Sequence, residues 1–171
     1  MRNIARIIIA LMINHGFSVA QTVDPRIDDN AGMMRQVLEL EGYSMKQIHD
    51  AAELWIKQNY RNPNEVIMVN DSNYIRVNEH VDLPNISSNV VDCYVATEWD
   101  FKDGKLRLTI TDYNCKSQYS DFNALVSMRN KNGNVKMGYS AHHSWVVDSF
   151  NKKARGLHDL LQNGLQRDDD W

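Results

Sequence analysis

Few residues in this 171-residue chain stand at spacings that do chemistry. His142 and His143 are adjacent, with Asp148 following. Neighbouring residues on a helix point about 100° apart, and helices that bind metal place His at i and i+4. The pair therefore reads as a solvated helix start. His158-Asp159 falls near a helix end, where the dipole favours a cation. Glu98 and Asp100 share one face of a strand and resemble a paired-carboxylate acid/base site. Arg107 stands opposite Asp100 once the hairpin below is paired, and cross-strand charge pairs are ordinary sheet surface. The sequence holds no glycine-rich phosphate loop, nucleophile elbow or Cys/His dyad spacing. No catalytic residue, metal ligand or cofactor is assigned. Cys93 and Cys115 remain, and whether they pair depends on the elements that carry them.

Those elements follow from periodicity. Met33 to Leu40 is apolar with partial alternation and reads as a first strand. Gly42-Tyr43 turns the chain, and Ser44 with Gln47 forms a capping box. Ile48, Ala52, Trp55 and Ile56 then recur at helical spacing to about Tyr60, where Asn62-Pro63-Asn64 stops the helix. Glu65 to Asn70 is a β-branched strand, Asp71-Ser72-Asn73 a turn, and Tyr74 to Val81 a returning strand. From Val91 to Phe101 apolar and polar residues alternate. Asp103-Gly104 supplies a two-residue hairpin turn, and Leu106, Leu108 and Ile110 alternate after it. With Lys102 facing Lys105, Phe101 meets Leu106, Trp99 meets Leu108 and Thr97 meets Ile110, all on one face. A slip of one residue would put Trp99 and Phe101 in water. Residues 116–139 give no clear period. Val146, Phe150, Ala154, Leu157 and Leu161 mark a closing helix capped by Ser140 or Ser144, with Gly156 as an internal cost and Gly164 just past its end.

The expected architecture is α+β, in the order β-α-β-β-β-β-α: an antiparallel sheet with two helices on one face and the other face open to water. Tyr74, Arg76, His80, Tyr94, Arg107 and Tyr113 project to the open face if the strands pair in sequence order. Tyr and Arg are enriched at binding hot spots, so these six form the candidate ligand- or partner-binding set. Tyr also favours any wet strand. Extending the same register puts Cys93 on the buried face and Cys115 on the outer one. Opposite faces cannot reach disulfide geometry, so two free thiols are expected unless a bulge or an early strand end intervenes.

The N-terminus gives an address. Arg2 and Arg6 precede the apolar run Ile7 to Ile13, and Ser18-Val19-Ala20 offers a small-residue cleavage site. This is the layout of a secretory signal, and its apolar run is too short to span a membrane. The expected divisions are 1–20 signal, 21–32 linker, 33–163 domain and 164–171 acidic tail. An exported protein, periplasmic or secreted, follows, with no stable membrane insertion after cleavage. The net charge of −3 and the lack of a Lys/Arg run argue against nucleic acid.

The secretory signal, Gly42-Tyr43-Ser44 through Ala52-x-x-Trp55-Ile56, Glu65 to Asp71, and the hairpin from Asp103-Gly104 to Asp112-Tyr113 carry a resemblance. The chain resembles exported bacterial domains of unknown function, common in Bacteroidetes, with a TATA-binding-protein-like fold. The resemblance covers about residues 33–113 and the closing helix; residues 115–140 are unmatched. It implies the two-layer fold and brings no activity, so no functional residue transfers. The expected function is a non-enzymatic cell-envelope module that binds a protein or small ligand on its open sheet face. Alternatives are a small exported hydrolase with a site near 115–143, and a structural accessory subunit of an envelope complex.

Overall fold

Why the chain turns where it does is visible from its first helix. A computed structural model describes residues 26–28, 33–84, 90–116, 121–130, 132 and 134–164. The expected signal and the end of the acidic tail lie outside these. Within the expected linker, Arg26–Asp28 forms a short strand, β1, paired with β2 (Met33–Glu39). Gly42, at φ +87°, lets the chain leave β2. Helix α1 (Met45–Asn59) then opens on the Ser44/Gln47 capping box, with both reciprocal bonds formed. Asp103, in the distant hairpin turn, accepts a further bond from the Met45 N–H at 2.7 Å. The hairpin turn and the start of the helix are thereby tied together.

Pro63 opens a single helical turn, α2 (Pro63–Val66), where the pattern suggested a strand starting at Glu65. Pro suits a first helical position because its missing N–H would be unpaired there anyway. Strands β3 (Ile67–Asp71), β4 (Tyr74–Pro84), β5 (Val90–Lys102) and β6 (Lys105–Lys116) follow. The unreadable stretch holds β7 (Asp121–Asn123) and the helical turn α3 (Ala124–Ser127). A 3₁₀ turn at Met137–Tyr139 leads straight into α4 (Ser140–Gln162), so neither expected serine caps it; Tyr139 holds the cap position without a side-chain bond. Gly164 stands just past the helix at φ +75°, as its position suggested.

The sheet is antiparallel throughout, in the order β1-β2-β6-β5-β4-β3, with β7 added beside β6. Helices α1 and α4 pack side by side on the face of Ile75, Val77, Val95, Trp99 and Leu108. Trp55 of α1 meets Trp99 of β5 with ring centres 5.8 Å apart. Gly156 lies where α4 passes the Trp55 indole, and a β-carbon there would clash with its Nε1 and Cδ1. Its place within a helix thus follows from close packing. The α+β two-layer expectation holds.

The hairpin register holds from Lys102↔Lys105 to Thr97↔Ile110 and then shifts, so that Ala96 pairs with Asp112. Thr111 is the extra residue of a β-bulge. Beyond it, every side chain of β6 changes face, which overturns two expectations. Tyr113 is fully buried beneath the helices, not on the open face. Cys115 comes opposite Cys93, and the two form a disulfide in place of two free thiols.

Candidate functional site

The open face of the sheet is built by alternation. Tyr74, Arg76, Asn78 and His80 reach it from β4, and Asp92, Tyr94, Ala96, Glu98 and Asp100 from β5. Arg107 and Thr109 reach it from β6 before the bulge, and Asp112, Asn114 and Lys116 after it. Ala96 is the one small side chain in the middle of this surface. Its methyl group floors a depression of about 280 Å³ walled by Arg76, Asn78, Tyr94, Asp112 and Asn114.

Arg76 is held from two sides. One guanidinium nitrogen donates to Glu98 at 3.3 Å and the other to Asp112 at 2.9 Å. Thr111, the bulged residue, also donates to Glu98, at 3.3 Å. Burial, then the Glu98 charge and a hydrogen bond to it, push the Tyr74 hydroxyl up, against an opposing pull from Arg76. Tyr94 stands 52% exposed. His80 lies against its ring at 5.0 Å and bonds to Asp92. The Lys116 ammonium stands 6.0 Å from the Tyr94 ring centre. Arg107 is committed to Asp100, at 3.1 Å.

The wall therefore offers guanidinium and amide donors, carboxylate and amide acceptors, and a half-exposed aromatic ring. Asp112 is tied to Arg76 by the guanidinium hydrogen bond. Of the six expected residues, Arg76 and Tyr94 line the depression, His80 supports Tyr94, and Tyr74 braces Glu98 beside Arg76. Arg107 stands further along the face, and Tyr113 is on the other side. Asn78, Ala96, Asp112 and Asn114 were not anticipated. The missed signal lay in polarity: the unshifted register turns Asp112, Asn114 and Lys116 into the core and Tyr113 and Cys115 out to water, which is the costly arrangement.

Among the described residues, two buried polar clusters occupy the helix-covered face. In the first, His142 is fully buried, not solvated as its place at a helix start suggested. Its Nδ1 lies 3.0 Å from the Tyr113 hydroxyl, and its Nε2 has no hydrogen-bond partner among the described residues. Burial lowers the His142 pKa and raises that of Tyr113. The ligand atoms of Cys93, Cys115 and His142 all lie within 4.8 Å of one another. In the second, the Lys153 ammonium donates to Glu79 at 2.9 Å and to Ser149 at 2.6 Å. Thr97 donates to Glu79 as well, at 3.1 Å. Lys153 thus links α4 to β4 through these bonds. On the surface, His80, Asp82 and Asp92 also gather within 4.8 Å.

No family model matches the chain, and no curated protein matches it in sequence. Two solved structures are similar. One is a TBP-like protein from Parabacteroides distasonis, 16% identical over 74% of this chain and 92% of that one, with a TM-score of 0.60. The other is a DUF4468 family protein from Bacteroides ovatus, 14% identical over 84% of this chain and 92% of that one, with a TM-score of 0.59. The shared property is the fold, which is TBP-like.

Proposed function

We propose that this protein is a non-enzymatic binding module of the cell envelope that captures a partner or small polar ligand on the open face of its sheet. The observation that carries the reading is the depression over Ala96, where a half-exposed Tyr94 ring faces the braced Arg76–Asp112 pair. The bracing supports it further, because a guanidinium held from two sides loses little freedom on meeting a ligand. Export is supported by the signal-like N-terminus.

The hydrolase reading gains no observation of its own. Among the described residues, His142 contacts Tyr113 and the disulfide region, with no carboxylate bonded to its ring. The accessory-subunit reading likewise gains none. Substituting Tyr94→Ala removes the aromatic wall from a position exposed enough that folding does not depend on it. Crosslinking capture from envelope extracts is expected to fall at least tenfold, with the thermal melt unchanged. Equal capture by a folded Tyr94→Ala variant would rule the site out.

A further inference from the structure

We infer that Cys93, Cys115 and His142 form a redox-gated zinc site on the helix-covered side of the sheet: reduced, the two thiolates and the imidazole hold Zn²⁺, and oxidised, the disulfide closes it. The three residues come from β5, β6 and α4, are at most 1% exposed, and bring their ligand atoms within 4.8 Å of one another. Two thiolates and an imidazole supply three ligands of a tetrahedral zinc site, with Zn–S of about 2.3 Å and Zn–N of about 2.0–2.1 Å, and a water completes the fourth position. The cysteines face each other directly across the ladder. Breaking the S–S bond therefore lets the sulfurs part by side-chain rotation while the strands stay in register.

The second observation is the imidazole. Its Nδ1 is engaged with the Tyr113 oxygen and its Nε2 is buried without a partner among the described residues. Metal-bound histidines commonly donate the distal N–H to an oxygen, which fixes the tautomer and leaves the other lone pair for the metal. Tyr113 supplies that oxygen. An orphaned buried nitrogen otherwise carries a desolvation cost that nothing offsets. This site lies across the sheet from the open-face depression and does not depend on it.

The chemistry balances as follows. A dithiol reductant gives two electrons and two protons to the Cys93–Cys115 disulfide and leaves as its own disulfide. Zn²⁺ then displaces one proton from each thiol as two Zn–S bonds form, and His142 gives a lone pair without losing a proton. In the reverse direction, a disulfide oxidant takes two electrons from the thiolates and, with two protons from solvent, leaves as a dithiol. The S–S bond re-forms and Zn²⁺ departs.

The test is to reduce the full chain with a phosphine, which takes up an oxygen from water, then remove the reductant under anaerobic conditions and titrate with Co²⁺. One Co²⁺ per chain is expected, with a thiolate-to-cobalt charge-transfer band and tetrahedral visible absorption, both abolished by Zn²⁺. The oxidised protein should give neither signal. The exposed His80, Asp82 and Asp92 group cannot produce a thiolate band, so its binding is distinguishable. His142→Gln should weaken binding by at least tenfold, as should the milder Tyr113→Phe, acting through the imidazole. If reduction lowers the circular dichroism, recovery on adding Zn²⁺ supports the site and failure to recover overturns it. A reduced, folded chain without the thiolate band, or a His142→Gln variant that binds as tightly as the parent, also overturns it.

Discussion

At the scale of single residues, Gly156 and Tyr60 show how packing reverses what local preference suggests. Gly inside a helix costs roughly 1 kcal/mol relative to Ala, so Gly156→Ala would stabilise an isolated α4. Here the Trp55 indole occupies the place of the new methyl group. Overpacking of this kind costs about 1–3 kcal/mol. Gly156→Ala is therefore expected to lower the urea midpoint at unchanged m-value, and a raised midpoint would show that Trp55 moves aside freely. Tyr60 ends α1 with its hydroxyl pushed up from the ordinary value of 10.0, first by burial and then by the charge and hydrogen bond of Glu79. A value raised by folding gives stability that is whole below pH 10 and is lost as pH climbs beyond it. Tyr60→Phe should flatten part of the alkaline fall in melting temperature. An unaltered fall would assign it to other tyrosines.

At the scale of elements, the buried stripe of α4 is His142, Val146, Phe150, Lys153, Leu157 and Leu161, with the expected Ala154 partly buried against the core beside the lysine. The Lys153 side chain is 2% exposed and ties α4 to Glu79 of β4, 11% exposed. Lys153→Met leaves the Glu79 carboxylate without its counter-charge, a loss of about 3–5 kcal/mol. Changing Glu79→Leu as well should recover most of it, because an apolar pair of similar volume is often no worse than a buried ion pair. Equilibrium unfolding of the two single variants and the double variant tests this; a double variant as unstable as Lys153→Met would contradict it. The elements themselves were mostly legible. The capping box, the Asp103-Gly104 turn and the alternation around Trp99 each state a local rule that the fold obeys. The short elements β1, β7, α2 and α3 were not, because three or four residues carry no period. The candidate site was half legible: β4 and the early part of β5 gave Arg76, His80 and Tyr94, whereas Asp112 and Asn114 required a bulge that the alternation from Lys105 to Thr111 does not announce.

At the scale of the whole molecule, the disulfide joins two adjacent strands inside the sheet and closes a loop with a sequence separation of 22 residues. Chain entropy for a loop of that size corresponds to about 3 kcal/mol. The paired substitution Cys93→Ala with Cys115→Ala should lower stability by that order, measured by urea unfolding with a chelator present, while the far-UV spectrum stays native. A loss of all structure would mean that the cross-link carries the fold and that the helix-covered core does not. Thr111 has a wider effect. In β6, core residues fall at even positions before it, as in Leu106, Leu108 and Ile110, and at odd positions after it, as in Tyr113 and Cys115. One inserted residue inverts the parity of the strand, and the same inversion sends a tyrosine and a cysteine inward while delivering an aspartate and an asparagine to solvent. The interior disulfide and the exterior cleft are two outputs of a single phase change in the chain.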